Sequence, residues 1–170
     1  MRDFIQGVLN SYNFIGWLFA IIGFISTGAG VYLFLSGIGP LLLRLGNALW
    51  KREIAVFAEP HRFAELKQVL LDSKVFNEKN IIHIAAHNFD RAKGVTIFLV
   101  DWHSCQHNIE DVFRLRSNHQ TPIVIHAKPG TIPIPVMDDI ANRLNTDVVN
   151  FKGRLIYVIL MFLITTAYEK

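Results

Sequence analysis

The chain has 170 residues, of which 51% are hydrophobic and 18% are charged, and its formal net charge at neutral pH is +3. A net charge this small, carried by scattered or juxtamembrane basic residues, argues against a nucleic-acid-binding protein. The single cysteine, Cys105, excludes an internal disulfide and agrees with a reducing compartment.

An apolar stretch near the N-terminus, residues 14–43, contains no charged side chain. A bilayer core of about 30 Å needs only about 20 helical residues. We therefore expect a short tail over residues 1–13 and a membrane-spanning helix over residues 14–38. The stretch is too long for the apolar region of a signal peptide, and no small-residue cleavage site follows it, so we expect it to be retained.

Small side chains recur along one face of this predicted helix, at the spacing that returns to the same side after two turns. They are Gly16, Ala20, Gly23, Thr27, Gly30 and Gly37. Such a stripe lets the backbones of neighbouring membrane helices approach closely. We expect the chain to form a homo-oligomer, or to join other subunits of a membrane complex. The alternative is that glycine is simply frequent in membrane helices.

The segment after the apolar stretch predicts how the chain is oriented. Gly39-Pro40 should end or kink the helix, which leaves residues 39–52 as a short amphipathic segment at the membrane interface. More basic residues follow the stretch than precede it. Because such residues are enriched on cytoplasmic flanks, we expect a single-pass protein of a bacterial inner membrane, with residues 53–170 in the cytoplasm.

From residue 53 onward, short apolar segments alternate with helical patterns. The predicted strands are 54–58, 81–85, 95–100, 122–127 and 147–151. The predicted helices are 62–73, 109–116, 135–144 and 155–168. Only a loop, residues 86–94, stands where a second crossover helix would be expected. The pattern predicts an α/β fold, a five-stranded doubly wound parallel sheet of the flavodoxin type.

In such a sheet the chemistry lies at the carboxyl ends of the strands. There the domain resembles the receiver domains of bacterial response regulators. Asp101, which ends the third predicted strand, stands in the place of the phosphoacceptor, and Lys152, followed by Gly153, stands in the place of the family's Lys-Pro. The resemblance covers residues 53–170.

The phrase Phe57-Ala58-Glu59-Pro60 stands where receivers carry the acidic pair that binds magnesium. Phe57 and Ala58 offer no side-chain oxygen, and only Glu59 has a carboxylate. The resemblance therefore implies a degenerate pseudo-receiver, in which Asp101 pairs with Lys152 without regular phosphorylation. The alternative is that Asp101 simply caps the helix that follows it.

A second, weaker resemblance is to Toll/interleukin receptor-like domains, whose enzymatic members carry a glutamate on the helix after the equivalent strand. Trp102, Ser104, Cys105 and Glu110 occur here in that order. The resemblance implies Glu110 as the carboxylate of an NAD-cleaving effector enzyme. The alternative from the residues themselves is that Glu110 lies on a solvated helix face.

Two pairs of histidines raise the possibility of a metal site beside Asp101 and Cys105. They are His83 with His87 and His103 with His107. The spacing is that of a zinc protease helix, but the accompanying glutamate is missing, residues 102–108 are predicted to be a loop, and His83 lies in a predicted buried strand. We expect no metal and no cofactor. Walker, dinucleotide-binding and nucleophile-elbow motifs are also missing from the sequence.

The last predicted helix is apolar almost all round, although a helix on a sheet needs only one apolar stripe. It is short for a bilayer span. We therefore expect it to pack on its own sheet and also against another subunit, through Leu155, Val158, Ile159 and Phe162. In receivers the corresponding helix often belongs to the dimer surface, so the resemblance implies the same.

The sequence thus predicts a membrane-anchored, self-associating structural or signal-coupling protein, whose pseudo-receiver domain mediates protein–protein contacts. Its expected partners are further copies of itself, other membrane subunits and the lipid bilayer, and not nucleic acid. The alternative class is a membrane-bound effector enzyme that cleaves NAD.

Overall fold

The structure is a computed structural model in which the chain separates into two compact units, Met1–Leu43 and Arg44–Lys170. It describes residues 2–85, 89–116 and 120–166. Only the backbone is described at residues 2–13, 44, 47–49 and 51. The first unit is helical throughout its described length, and the second contains an α/β domain.

A single long helix, α1, spans Arg2–Lys51. Within the described residues, its segment Phe14–Leu43 is the one stretch long and apolar enough to cross a membrane, by length and composition, and none of it is buried within the chain. The helix does not end at Gly39-Pro40, as the sequence suggested. Proline removes one backbone hydrogen bond, and the apolar residues on both sides of Pro40 continue the helix beyond it.

The domain is built on five short strands that all run parallel. They are β1 (Ile54–Phe57), β2 (Ile81–Ile84), β3 (Ile97–Asp101), β4 (Ile123–His126) and β5 (Thr146–Val149). Their order across the sheet is β2-β1-β3-β4-β5. This is the doubly wound, flavodoxin-like order, so the predicted fold class is confirmed.

Helices cover both faces of this sheet, as right-handed crossovers between parallel strands require. They are α2 (Pro60–Asp72), α3 (Trp102–Cys105), α4 (Ile109–Leu115), α5 (Ile134–Asn142) and α6 (Lys152–Thr165). The short helix α3 falls in a segment that was predicted to be a loop. Between β2 and β3 the described residues contain only a 3₁₀ turn, Phe89–Ala92, while residues 86–88 lie outside them.

Two apolar layers hold the sheet, because successive strand residues face opposite sides. Ala55, Phe57, Phe98 and Val100 face α4 and α5. The alternate residues of the same strands, among them Ile54, Val56, Ile97 and Leu99, face α2 and α6. Buried on both faces, these strands are near-continuous apolar runs, and that is why they could be found in the sequence.

The position of α6 corrects one set of predicted contacts. Leu155, Val158 and Ile159 are at most 4% exposed and pack in the domain's own core, while Phe162 is half-buried against it. A helix that is apolar all round still directs one stripe, at a spacing of three and four residues, onto its sheet. The side chains of Leu155, Val158 and Ile159 are therefore enclosed within the domain, while Phe162 remains partly exposed. The exposed apolar side chains of α6 are instead Tyr157 and Met161.

Candidate functional site

A cleft of about 510 Å³ opens at the carboxyl ends of β3 and β4. Its volume lies within the range of about 300–1,000 Å³ that small-molecule sites occupy. Three segments line it, and their residues are Arg62 on α2, Asp101, Trp102, His103 and Gln106 after β3, and His126, Ala127, Lys128 and Thr131 after β4. The sheet winds in opposite directions from β1 and β3, so the cleft lies beside the switch point where open α/β sheets bind ligands.

Asp101 lies on the wall of this cleft and is only 3% exposed. Its Oδ2 accepts hydrogen bonds from the backbone N–H of Ser104, at 3.1 Å, and from the Ser104 hydroxyl, at 2.7 Å. The same hydroxyl oxygen accepts the backbone N–H of Glu59 at 3.1 Å. Asp101 is thus the N-cap of α3, which confirms the capping alternative.

His126 stands directly opposite Asp101 on the neighbouring strand. Its Nδ1 lies 3.7 Å from Asp101 Oδ1, which is within 4 Å but longer than a hydrogen bond. Burial works to raise the pKa of the Asp101 carboxyl. The His126 ring, the two hydrogen bonds from Ser104 and the charge of Arg62 outweigh burial, so the pKa lies below its ordinary value. Asp101 is therefore held as a carboxylate.

The predicted ion pair between Asp101 and Lys152 does not form. Lys152 Nζ lies 3.7 Å from Glu65 Oε2 instead. The physical reason is the layering of the domain, because α6, which begins at Lys152, packs on the same face of the sheet as α2, which carries Glu65. Lys152 is also not among the residues that line the cleft.

The structure brings no acidic cluster together around Asp101. Phe57 and Ala58 are buried in the core, at 0% and 4% exposure. Glu59 is the exposed residue before α2, and its side chain makes no capping hydrogen bond. Among the described residues no group of three or more His, Cys, Asp or Glu side chains is placed to hold a metal ion.

Two of the candidate metal ligands, His83 and Cys105, contact backbone carbonyl oxygens instead of one another. His83 Nε2 donates to the carbonyl oxygen of Ala58 at 2.8 Å, and its ring stacks on Phe63 with the centroids 4.3 Å apart. The Cys105 thiol is buried and points at the Phe57 carbonyl oxygen, 3.6 Å away. His87 lies outside the described residues. His83 is therefore a satisfied, half-buried residue of the sheet.

Glu110 lies on the exposed side of α4. Both of its carboxylate oxygens accept from Arg143 Nη2, at 3.2 and 3.3 Å. Arg143 also pairs with Asp139 and lies over the ring of Phe113, 4.0 Å from its centroid. Glu110 is thus part of a surface ion-pair group and does not line the cleft.

The glycines of the small-residue stripe on α1 have open space around them among the described residues. A Cβ atom built at Gly16, Gly23, Gly30 or Gly37 would find no atom within 4 Å outside its neighbours and the local helix backbone. Ala20 is exposed, and the Thr27 hydroxyl donates back to the Gly23 carbonyl oxygen at 2.8 Å. No contact within the chain therefore requires glycine at these positions.

Sequence reasoning missed Arg62 and His126 as residues of the site. Their signal was weak, because Arg62 is a single basic residue in the first turn of a helix and His126 is the last residue of an apolar strand. The loop after β4, which includes Lys128, was visible as a Pro- and Gly-rich segment at a strand end. It is fixed by hydrogen bonds from the Thr131 N–H and hydroxyl to the Lys128 carbonyl oxygen.

Comparison of the chain with known protein families, with curated proteins and with solved structures gave no match. The fold and the geometry of the site therefore define the class. This is an α/β domain of the flavodoxin type that follows a long apolar helix. The resemblances to receiver and Toll/interleukin receptor-like domains are therefore supported only by the sequence motifs described above.

Proposed function

We propose that this protein is a membrane-anchored, self-associating component of a bacterial membrane assembly, with its α/β domain on the cytoplasmic side. The domain makes protein–protein contacts and couples signals without phosphotransfer. The observation that carries the proposal is the open stripe on α1. At Gly16, Gly23, Gly30 and Gly37 an added Cβ would find no described atom within 4 Å beyond the local helix, so a second helix has room to approach the backbone there.

The state of Asp101 supports a role without phosphotransfer. Phosphotransfer to a carboxylate needs a magnesium ion held by further carboxylates beside the acceptor. The carboxylate of Asp101 is instead committed to Ser104 as a helix cap, and Phe57 and Ala58 are buried in the core. This arrangement favours a receiver-like scaffold that has kept the shape of the domain and not its chemistry.

The enzyme alternative draws no support from the surroundings of Glu110. A carboxylate that cleaves a glycosidic bond must face a bound substrate. Glu110 is exposed and accepts two hydrogen bonds from Arg143. Its position matches the solvated helix face that was the alternative to a catalytic role.

The test is the mass of the intact protein in mild detergent, measured by light scattering, beside its Gly23→Leu variant. We expect the wild-type chain to form a defined oligomer and the variant to fall to a smaller species, because a leucine on the stripe separates the two backbones. Helical content, measured by circular dichroism, should not change.

Gly28→Leu is the matched control. Gly28 is a second glycine of the same helix, and at 100° per residue it lies about 140° around the axis from Gly23. Like Gly23, it has no neighbour within 4 Å in the chain. The Gly28→Leu variant should keep the wild-type mass. Equal masses for all three proteins would refute the stripe as an association surface.

A further inference from the structure

The cleft beside Asp101 has no part in the assembly role proposed above. Its lining is rich in basic and imidazole side chains. Arg62 reaches it from α2, and Lys128 reaches it from the loop after β4. His103 and His126 contribute two imidazole rings. Two permanent cations from different segments thus share one concave surface, and this favours an anionic occupant.

Among the described residues that line the cleft, Asp101 is the one carboxylate. Its negative charge is already stabilised by neighbouring groups of the protein. Two hydrogen bonds from Ser104 and the facing ring of His126 surround it. Arg62 lies 3.5 Å from Glu65, in a half-buried pair that solvent still screens in part. Arg62 lies in the first turn of α2, which itself contains no acidic residue, while the exposed Glu59 is the N-cap before it.

Two polar atoms of the cleft residues have no hydrogen-bond partner among the described residues. They are the indole Nε1 of Trp102, a side chain only 5% exposed, and Nδ1 of His126, which faces Asp101 Oδ1 at 3.7 Å, beyond hydrogen-bond distance. Burying a polar group without a hydrogen-bond partner destabilises a fold, so such groups in a folded domain call for an explanation. An anion in the cleft would lie beside Trp102, whose buried indole N–H has no partner among the described residues.

We propose that this cleft binds a small phosphorylated anion, with Arg62 and Lys128 on its phosphate oxygens. Arginine matches phosphate through two parallel hydrogen bonds, and lysine adds a point charge. The volume of about 510 Å³ is far larger than one phosphate group, so the class is a diphosphate or a nucleotide-sized molecule. The turn that carries Lys128 is held by Thr131 and is thus in place before binding.

The test is calorimetric titration of the full chain in a non-ionic detergent and a phosphate-free buffer, with inorganic pyrophosphate and with ADP as probes. We expect saturable binding of at least one probe, with one site per chain. The double variant Arg62→Gln/Lys128→Gln should bind at least about tenfold more weakly, because it loses both charge-assisted contacts.

The matched control is Arg114→Gln/Lys93→Gln, which removes the same two charge types outside the cleft. Arg114 pairs with Asp111, and Lys93 pairs with Asp90, both on the exposed surface. This variant should bind like wild type. If it weakens binding as much as the cleft variant does, the probe is held by net charge alone and the proposal is overturned.

Failure of the wild-type chain to bind either probe also overturns the proposal. Should the double cleft variant not fold, Lys128→Gln alone serves instead, because Lys128 is exposed and its loss leaves the core untouched. It should weaken binding severalfold, and unchanged binding would refute the assignment. None of these titrations depends on the oligomeric mass. The ligand proposal for the cleft and the association proposal for the α1 stripe are therefore tested independently.

Discussion

The guanidinium of Arg52 forms two hydrogen bonds with Thr166, the last described residue of the domain. Its Nη1 donates to the Thr166 hydroxyl oxygen at 3.1 Å, and its Nη2 donates to the Thr166 carbonyl oxygen at 2.7 Å. Both residues are at most 5% exposed. Thr166 is the C-cap of α6, where carbonyl oxygens lack helical partners and a cation is favourable. Arg52 thus ties the chain just after α1 to the end of the last helix.

Replacement of Arg52 by methionine should therefore destabilise the domain. Arg52→Met keeps most of the apolar stem and loses both hydrogen bonds to Thr166, at an expected cost of about 2–4 kcal/mol in the free energy of unfolding. Urea denaturation of the full chain in detergent, followed by circular dichroism, measures this change. Arg114→Met, at an exposed ion pair, is the control and should change stability by less than about 0.5 kcal/mol. Equal stabilities for the two variants would show that the contact with Thr166 contributes nothing.

Acid should weaken the domain through Asp101. The folded-state pKa of this carboxyl lies below its ordinary value, which is about 3.9 in an unfolded chain. Its contribution to stability is therefore fully present above that ordinary value and is lost as the pH falls through the folded pKa.

Asp101→Asn keeps an oxygen for the Ser104 cap and removes this titration. We expect the difference in unfolding free energy between wild type and variant to shrink as the pH falls from 5 towards 3, in urea titrations at each pH. The surface carboxylates are common to both proteins, so they cancel in this comparison. A difference that stays constant over this range would contradict the assigned protonation state.

The central strands β1, β3 and β4 could be predicted because each is an apolar run buried on both faces, whereas the edge strand β5 is half-buried and carries Thr146 and Asp147. For β1, β2 and β4, both the first and the last predicted residue lie within one position of the observed strand ends. Pro60, at the first turn of α2, and Asp101, at the end of β3, are local signals that act within a few residues. Such signals can be recognised in the sequence without knowledge of the tertiary structure.

The contacts of long side chains could not be predicted in the same way. Lys152 pairs with Glu65, and Arg52 binds Thr166, across many intervening residues. These choices depend on which helices share a face of the sheet, and no local pattern contains that information. The same holds for Arg62, which enters the cleft only because α2 begins beside β3.

Magnesium and beryllofluoride, a mimic of the phosphorylated state, should leave the melting temperature of this protein unchanged. A ligand stabilises a fold only if it binds the folded state, and among the described residues Asp101 belongs to no group of side chains placed to hold a metal ion. Thermal unfolding of wild type and Asp101→Asn, with and without both reagents, measures the effect. A rise of several degrees in wild type that the variant lacks would restore phosphorylation as a function.

Cys105 should resist thiol reagents for as long as the domain is folded. Its side chain is 4% exposed, and burial, together with the nearby charges of Asp101 and Glu59, raises the pKa of its thiol to about 12. At pH 8 only about one molecule in 10⁴ would then carry the reactive thiolate, even before access is considered. Titration with a chromogenic disulfide should show almost no reaction in native buffer and one thiol per chain in denaturant. Rapid reaction of the native protein, absent from Cys105→Ser, would mean that the layer between α3 and the sheet opens readily, and it would contradict the packing described for this face.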